Sequence, residues 1–244
     1  MSETRRSNVV VVTGTDTGVG KTWVTAAIAR ALLKAGVRVV ALKPVETGCG
    51  TTERAREDGV RLAEATGQAE PREALVRLAA PLAPVLAAER EGRTIDFDDL
   101  LIRIEGYAAG ADIVLLEGVG GLLAPITWEW CLVDIAQALD ARAVLVASDR
   151  SGSVNHALLT LGALELASVP VTDVVITSPE VPDASTGTND AAIARLGGIV
   201  RIREAARTTD PDAAAEAMRP VAEALIASGV GAYATEPGPS SPPA

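Results

Sequence analysis

The hydrophobic positions of this chain fall into short uninterrupted runs separated by stretches of helical spacing, and that alternation sets the expected architecture. Val9 to Val12 is a β-branched run ending in a glycine-bearing turn. Trp23 to Ala35 follows with apolar residues at helical intervals, and Gly36 stops it. A second run, Val37 to Leu42, ends at Lys43-Pro44, because proline cannot continue a ladder and restricts the residue before it. Strand, helix and strand form a βαβ unit, which is right-handed. Glu53 to Thr66 and Asp98 to Ala109 read as helices, and the pattern assigns no element to the proline-marked stretch from Pro71 to Pro84.

Asp112 to Leu116, Ala143 to Ala147 and Val171 to Thr177 read as further buried strands, with Leu132 to Leu139 and Ser153 to Ala167 as the intervening helices. Pro179 to Asn189 is a loop by composition, before a short strand near Gly198 to Ile202 and a last helix from Asp212 to Ala227. Thr235 to Ala244, with four prolines and two adjacent serines, has the composition of a disordered tail. The pattern implies an α/β fold: one domain over residues 8–234, with a mainly parallel sheet covered by helices on both faces, between a flexible tail at 1–7 and a disordered one at 235–244.

Composition sharpens this picture. Hydrophobic residues make up 48% of the 244, aromatics only 2%, so the interior must be filled by Ala, Val, Leu and Ile. That suits parallel strands covered by helices and argues against an all-β protein. A formal charge of -10 argues against nucleic acid or an anionic membrane as the principal partner, since both attract basic faces. Met1 to Asn8 carries two arginines but no apolar run of signal-peptide length, and no segment approaches 18 consecutive apolar residues, so a cytoplasmic protein is expected. Cys49 and Cys131 are too few for a disulfide scaffold and lack the paired spacing of a zinc site.

Between the first strand and its helix lies Gly14-Thr-Asp-Thr-Gly-Val-Gly-Lys-Thr22, placed where a phosphate loop must be. Glycines permit a turn that aims backbone N–H groups at phosphate oxygens, and the following helix start adds positive potential. Lys21 supplies a mobile cation and Thr22 a hydroxyl for Mg²⁺. The strict pattern asks for glycine at position 15, where this chain has Thr15, with Gly14 one residue earlier. These features make the fold a P-loop NTPase domain.

Lys43, in Lys43-Pro-Val-Glu-Thr-Gly48, stands at the carboxyl edge of the sheet, where open α/β folds bind ligands. Glu117, in Leu115-Leu-Glu-Gly-Val-Gly-Gly-Leu122, ends another buried strand, with Gly118, Gly120 and Gly121 allowing close backbone approach. A carboxylate there serves Mg²⁺, which takes one or two protein carboxylates besides phosphate oxygens. For the second acid, spacing alone gives Asp58 little advantage over Glu53, Glu57 or Glu64.

The four segments GTDTGVGKT, KPVETG, EGVGGL and Ser153-Val-Asn-His-Ala-Leu-Leu-Thr160 occur in the order and approximate spacing of dethiobiotin synthetase, so the chain resembles that family from roughly Val9 to Val175. The resemblance implies a homodimer that carboxylates one amine of 7,8-diaminopelargonate with CO₂, phosphorylates the carbamate with ATP and closes a ureido ring. It implies that Lys21, Lys43 and Thr17 serve the chemistry, and that Thr22, Asp58 and Glu117 hold Mg²⁺. Nucleotide contacts fall to Asp16, Thr17, Gly18, Val19, Gly20, Lys21, Thr22, Trp23, Glu117, Gly118 and Thr177. Substrate contacts fall to Thr17, Lys43, Thr47, Gly118, Gly120, Ser153 and Asn155, the last two at a helix start that would reach the partner's site in the dimer. For Asn155 and His156, capping and interface packing are an equal alternative.

Two departures bear on that comparison. Some relatives carry an asparagine that reads adenine where this chain has Thr177, and their later glycine-acid-Ile-Pro segment is replaced around Val200-Arg-Ile-Arg203. Phosphates and Mg²⁺ are therefore expected to dominate nucleotide binding, with weak selectivity for ATP. In Pro81-Leu-Ala-Pro84, Ala83 stands where relatives commonly offer a hydroxyl. Two rival classes fit less well. Partitioning ATPases have a lysine where this chain has Asp16, and cobyrinate-type amide synthases need a glutamine-hydrolysing domain for which no chain remains.

Overall fold

The computed structural model describes residues 7–50, 53–198 and 201–229. The tails expected at 1–7 and 235–244 lie, but for Ser7, outside the described residues, as do the two central positions of the strand expected near Gly198 to Ile202. In chain order the elements begin with β1 (Val9–Gly14), α1 (Lys21–Lys34), β2 (Val39–Leu42) and β3 (Val45–Thr47). There follow α2 (Asp58–Thr66), β4 (Val76–Leu78), α3 (Pro84–Arg90), α4 (Phe97–Ala108), β5 (Ile113–Glu117) and α5 (Leu132–Ala138). The series ends with β6 (Arg142–Ser148), α6 (Ser153–Leu166), β7 (Val171–Thr177), α7 (Asn189–Gly197), β8 (Ile202–Ala205) and α8 (Pro211–Ala227).

Six strands form one parallel sheet in the order β2-β5-β1-β6-β7-β8. The period of two in β1 sorts its valines between two cores. Val9 and Val11 pack in one with residues of α3, α4 and α5, and Val10 and Val12 in the other with residues of α1, α8 and Leu62 of α2. The sheet is covered on both faces, as the unalternating apolar runs require. Because every strand runs the same way, Gly14, Leu42, Glu117, Ser148 and Thr177 all end at one edge. β1 lies between β5 and β6, so the chain reverses its direction of winding beside the glycine-rich loop, the place where such sheets bind ligands.

Several elements differ from the sequence expectation. Pro44 does end β2, but the chain re-enters extended structure at β3 and pairs in parallel with β4, which lies inside the unassigned stretch, as a separate two-stranded sheet. The helix expected from Glu53 is one turn of 3-10 helix at Arg54–Arg56 and then α2 from Asp58, because Glu57 between them is extended (ψ 140°). Its carboxylate takes the Arg77 guanidinium at 2.7 and 3.0 Å, and the Glu46 carboxylate caps α2 instead, accepting from the Asp58 and Gly59 amides. The strand expected near Gly198 to Ile202 begins only at Ile202, since Gly198 (φ 62°) is the left-handed residue that ends α7.

At the β7–β8 edge, buried Asp173 meets Arg203 at 3.3 Å through Oδ1 and Arg201 at 4.0 Å through Oδ2, and Oδ2 has no hydrogen-bond partner among the described residues. Burial pushes its carboxyl up to about 6 from 3.8, against the pull of the two arginines. An acid whose pKa is raised by folding contributes stability that is present below its unfolded pKa and lost as pH rises through the folded value. The unfolding free energy of the native protein, relative to that of Asp173→Asn, should therefore fall by about 2–3 kcal/mol between pH 4 and pH 7. Denaturant titration of both proteins at the two pH values checks this, and a constant difference would contradict it.

Candidate active site

The loop from Gly14 to Thr22 is held by its glycines and by the strand ends around it. Gly18 (φ 75°) and Gly20 (φ 100°) take left-handed conformations that other residues resist. Gly14 is needed for a different reason: a Cβ there would come within 2.8 Å of the Val19 side chain. The close approach thus falls on position 14, and Thr15 takes a ladder position, donating its amide to the Val146 carbonyl at 3.0 Å. Thr177, at the end of β7, is buried with its hydroxyl donated to the Val19 carbonyl at 2.7 Å, so it supports the loop from beneath. Asp16 accepts from the Thr17 amide at 2.7 Å and lies 3.3 Å from Arg150.

Lys21, Thr22, Lys43, Asp58 and Glu117 come from four elements or their ends and converge at the carboxyl edge. The Thr22 hydroxyl lies 2.8 Å from Asp58 Oδ1 and 2.8 Å from Glu117 Oε1. Lys43 Nζ donates to Asp58 Oδ2 at 2.8 Å, Glu117 Oε1 at 2.7 Å and the Gly118 carbonyl at 3.2 Å. Lys21 Nζ donates to the Asp16 carbonyl at 2.9 Å. Of the four acids equivalent by spacing, Asp58 is thus the one brought to Thr22. Glu57 is bound to Arg77, and Glu53 and Glu64 are exposed.

Charge is finely opposed here. Burial alone would neutralise the enclosed Lys43 ammonium, but Glu117 and Asp58 outweigh it and raise its pKa. For Asp58 burial pushes upward, and Lys43 beside it prevails and holds the carboxyl below its usual range. Lys21 has no carboxylate in contact among the described residues; burial and then the Lys43 charge bring its ammonium down to about 8, against Glu117, Asp58 and Asp16. It is the cation of this cluster with most to gain from an arriving phosphate.

The second oxygen of Glu117 is buried and has no partner among the described residues. A buried carboxylate oxygen without a donor is costly, and two carboxylates with a hydroxyl on one side of a phosphate loop form the hard oxygen set that Mg²⁺ prefers. The residues present therefore fit a divalent cation.

These groups line a cleft of about 1010 Å³ that runs from Thr47, Pro81 and Ala83 past the loop to Trp23, Arg207 and Thr208. Thr17, Gly18, Gly20, Thr47 and Gly120 line it as well; Gly118 does not, and a Cβ there would come within 2.3 Å of the Leu132 side chain. Val19 is buried in the loop, and Trp23 donates its indole N–H to the Thr208 carbonyl at 2.9 Å. Ser153, Asn155 and His156 do not line the cleft: Ser153 is buried with its hydroxyl on the Ser148 carbonyl, and the other two are exposed on the first turn of α6. Ala83 lines the cleft as the residue before α3 and brings no hydroxyl. Sequence reasoning missed Glu46, Arg61 and Arg207, which line it too. Only the position of Glu46 within the KPVETG segment could have pointed to one of them.

A family model described as an AAA domain matches residues 8–211. The ATP-dependent dethiobiotin synthetase of Anaeromyxobacter dehalogenans strain 2CP-C is 43% identical over 189 residues, covering 76% of this chain and 83% of that protein. The ATP-dependent dethiobiotin synthetase of Mycobacteroides abscessus is 37% identical over 218 residues, covering 87% and 91%. Among solved structures, a ParA family ATPase from Chlorobium tepidum aligns with a TM-score of 0.54 at 16% identity, over 91% of this chain and 92% of that one. The MinC:MinD cell division complex from Aquifex aeolicus aligns at 0.56 and 17%, over 91% and 96%. At such identities the two structures speak for the P-loop fold alone.

Proposed function

The chain belongs to the ATP-dependent dethiobiotin synthetase family, and from that premise we propose how its own residues carry out the reaction. It is an ATP-dependent cyclo-ligase of biotin biosynthesis. Its substrates are 7,8-diaminopelargonate, CO₂ and ATP. One amine adds to CO₂ and loses a proton, giving a carbamate; a carbamate oxygen attacks the γ-phosphorus and ADP leaves. The second amine then attacks the carbamate carbon, loses a proton and expels phosphate, closing the ureido ring.

The observation that carries the residue assignment is the shared corner of Thr22, Asp58 and Glu117, closed by Lys43. Lys43 reaches the end of the phosphate loop from the diamine side and steadies negative charge on the carbamate as it meets the phosphorus. Lys21 leaves the Asp16 carbonyl for the phosphate oxygens. Fixed cations aimed at developing charge are where a protein gains most in such a transfer. Thr17 and Thr47 contact the diamine or its carbamate, and the backbone from Gly118 to Gly120 lies along it.

Thr22, Asp58 and Glu117 hold Mg²⁺, which when bound neutralises charge on the phosphates. Glu117→Gln keeps the shape and removes one charge, and its expected effect is to weaken Mg²⁺ binding in the presence of ADP by at least about tenfold. Calorimetric titration of metal into the protein with ADP reads this directly, and an unchanged metal affinity would remove Glu117 from the set.

The active unit is a homodimer in which Ser153 and Asn155 at the start of α6 approach the partner's substrate, where a helix N-terminus suits the distant carboxylate. Residues 8–234 form the catalytic domain and the protein works in the cytoplasm. Among the described residues no helix is long and apolar enough to cross a membrane.

A further inference from the structure

One buried carboxylate of the cleft has no part in any step of the reaction. Glu46, in β3 between Lys43 and Thr47 along the chain, lines the cleft and is 7% exposed. Both of its oxygens are engaged at the start of α2: Oε1 accepts from the Asp58 amide, and Oε2 from the Gly59 amide at 2.9 Å. These amides open the helix and have no carbonyl partner within it. Glu57, directly before them, supplies no cap of its own, because Arg77 takes its carboxylate at 2.7 and 3.0 Å. The helix start is thus capped by a negative group 12 residues away in sequence, at the end where negative charge is favourable.

Glu46 and Arg77 are partners in the register of β3 with β4, so they share one face of the two-stranded sheet. Both grip the same turn, one through the Asp58 and Gly59 amides and the other through Glu57. A third contact comes from the chain two residues before β4. A Cβ on Gly59 would lie 2.2 Å from the Ala74 amide nitrogen, so helix and sheet segment meet backbone to backbone. The side chain of Asp58 is bonded to Thr22 and Lys43, contacts that a bound cation must share. The Glu46 contact lies on the backbone and is independent of what that side chain holds.

We propose that Glu46 is a positioning residue: by capping α2 from β3 it sets the place of the Asp58 carboxylate, and with it the affinity of the site for Mg²⁺. This rests on the assignment of Asp58 to Mg²⁺ and deepens it. Groups that orient the ligands of a metal matter to its affinity nearly as much as the ligands themselves. The two-stranded sheet then has a function of its own, since it carries the pair of side chains that fixes the first turn of α2.

Two variants separate the reach of this carboxylate from its charge. Glu46→Asp keeps the charge but is one methylene too short for both amides, and Glu46→Gln keeps the length but loses the charge and one acceptor. Calorimetric titration of Mg²⁺ in the presence of ADP should show affinity lowered by at least about tenfold in both. ADP affinity measured without metal should stay native, and raising Mg²⁺ should restore turnover, because the ligand is displaced and not removed. Each variant retains part of the cap, so the fold should hold, and melting curves verify it. Native Mg²⁺ affinity in Glu46→Asp would overturn the proposal, whether Glu46→Gln loses affinity through its missing charge or both variants merely melt earlier. If the unaltered protein binds no Mg²⁺ with ADP, the assignment of Asp58 itself falls, and this inference with it.

Discussion

Replacing Lys43 by alanine should abolish almost all ring closure, lowering turnover by at least about 10²–10³-fold. The ammonium is buried, bound at once to Asp58, Glu117 and the Gly118 carbonyl, and no other described cation touches those carboxylates. Removing it takes away the charge proposed to meet the carbamate. It also leaves the buried Glu117 carboxylate, beside the half-buried Asp58, without its counter-ion, which costs about 3–5 kcal/mol of stability. Melting curves recorded with Mg²⁺ and ADP separate the two effects, because bound ligands restore part of the lost stability and none of the lost chemistry. Lys43→Arg serves as the second variant: it keeps the charge, so its fold should hold, yet the broader guanidinium does not fit the same three contacts and turnover should still fall. A folded Lys43→Ala protein that closes the ring at the native rate would remove this lysine from the mechanism.

Gly59→Ala should damage both stability and the metal site by a wholly different route. Gly59 is the second residue of α2, directly after Asp58, and a Cβ at this position would lie 2.2 Å from the Ala74 amide nitrogen and 2.7 Å from the Glu73 carbonyl carbon. Both are backbone atoms, so no side-chain rotation relieves the clash and the helix must move away. Overpacking of this kind costs about 1–3 kcal/mol, which for a chain of this size lowers the melting temperature by roughly 2–12 °C. The displaced helix also carries Asp58 off Thr22 and breaks the cap that Glu46 makes on the Gly59 amide. Mg²⁺ affinity should fall together with stability. A native melting temperature and native metal affinity in Gly59→Ala would show that the helix is free to shift.

How far the sequence discloses this molecule follows from what each feature depends on. The first five strands of the central sheet to be met along the chain are legible because burial on both faces writes them as mainly apolar runs, and Val171–Thr177 agrees to the residue, whereas Ile202–Ala205 has no such run and begins later than expected. The phosphate loop and Glu117 are legible because backbone geometry demands glycine next to them. The minor sheet of Val45–Thr47 and Val76–Leu78 is not, since three-residue strands are too short to show a period and Pro44 reads as a terminator. The helix Pro84–Arg90 begins at the last proline of the unassigned stretch and is not expected from the pattern, although proline is well suited to the first helical position.

The site divides in the same way. Lys43 and Glu117 lie at strand ends and Lys21 and Thr22 open the helix that follows the phosphate loop, so the fold alone brings them together. The choice of Asp58 over Glu57 depends on Arg77 taking one carboxylate and Glu46 capping the helix that bears the other, contacts 12 to 20 residues apart that no local pattern records. Arg207 reaches Gly18 across 189 residues of sequence, and nothing near it in the chain marks it out.

The most direct test of the central claim is phosphate release from ATP and Mg²⁺ by the purified protein, with and without 7,8-diaminopelargonate and bicarbonate, and with the organic product identified by mass. A synthetase should release phosphate only when both substrates are present and should yield one dethiobiotin for each phosphate. Hydrolysis that ignores the diamine, or phosphate release without a ureido product, would contradict the account.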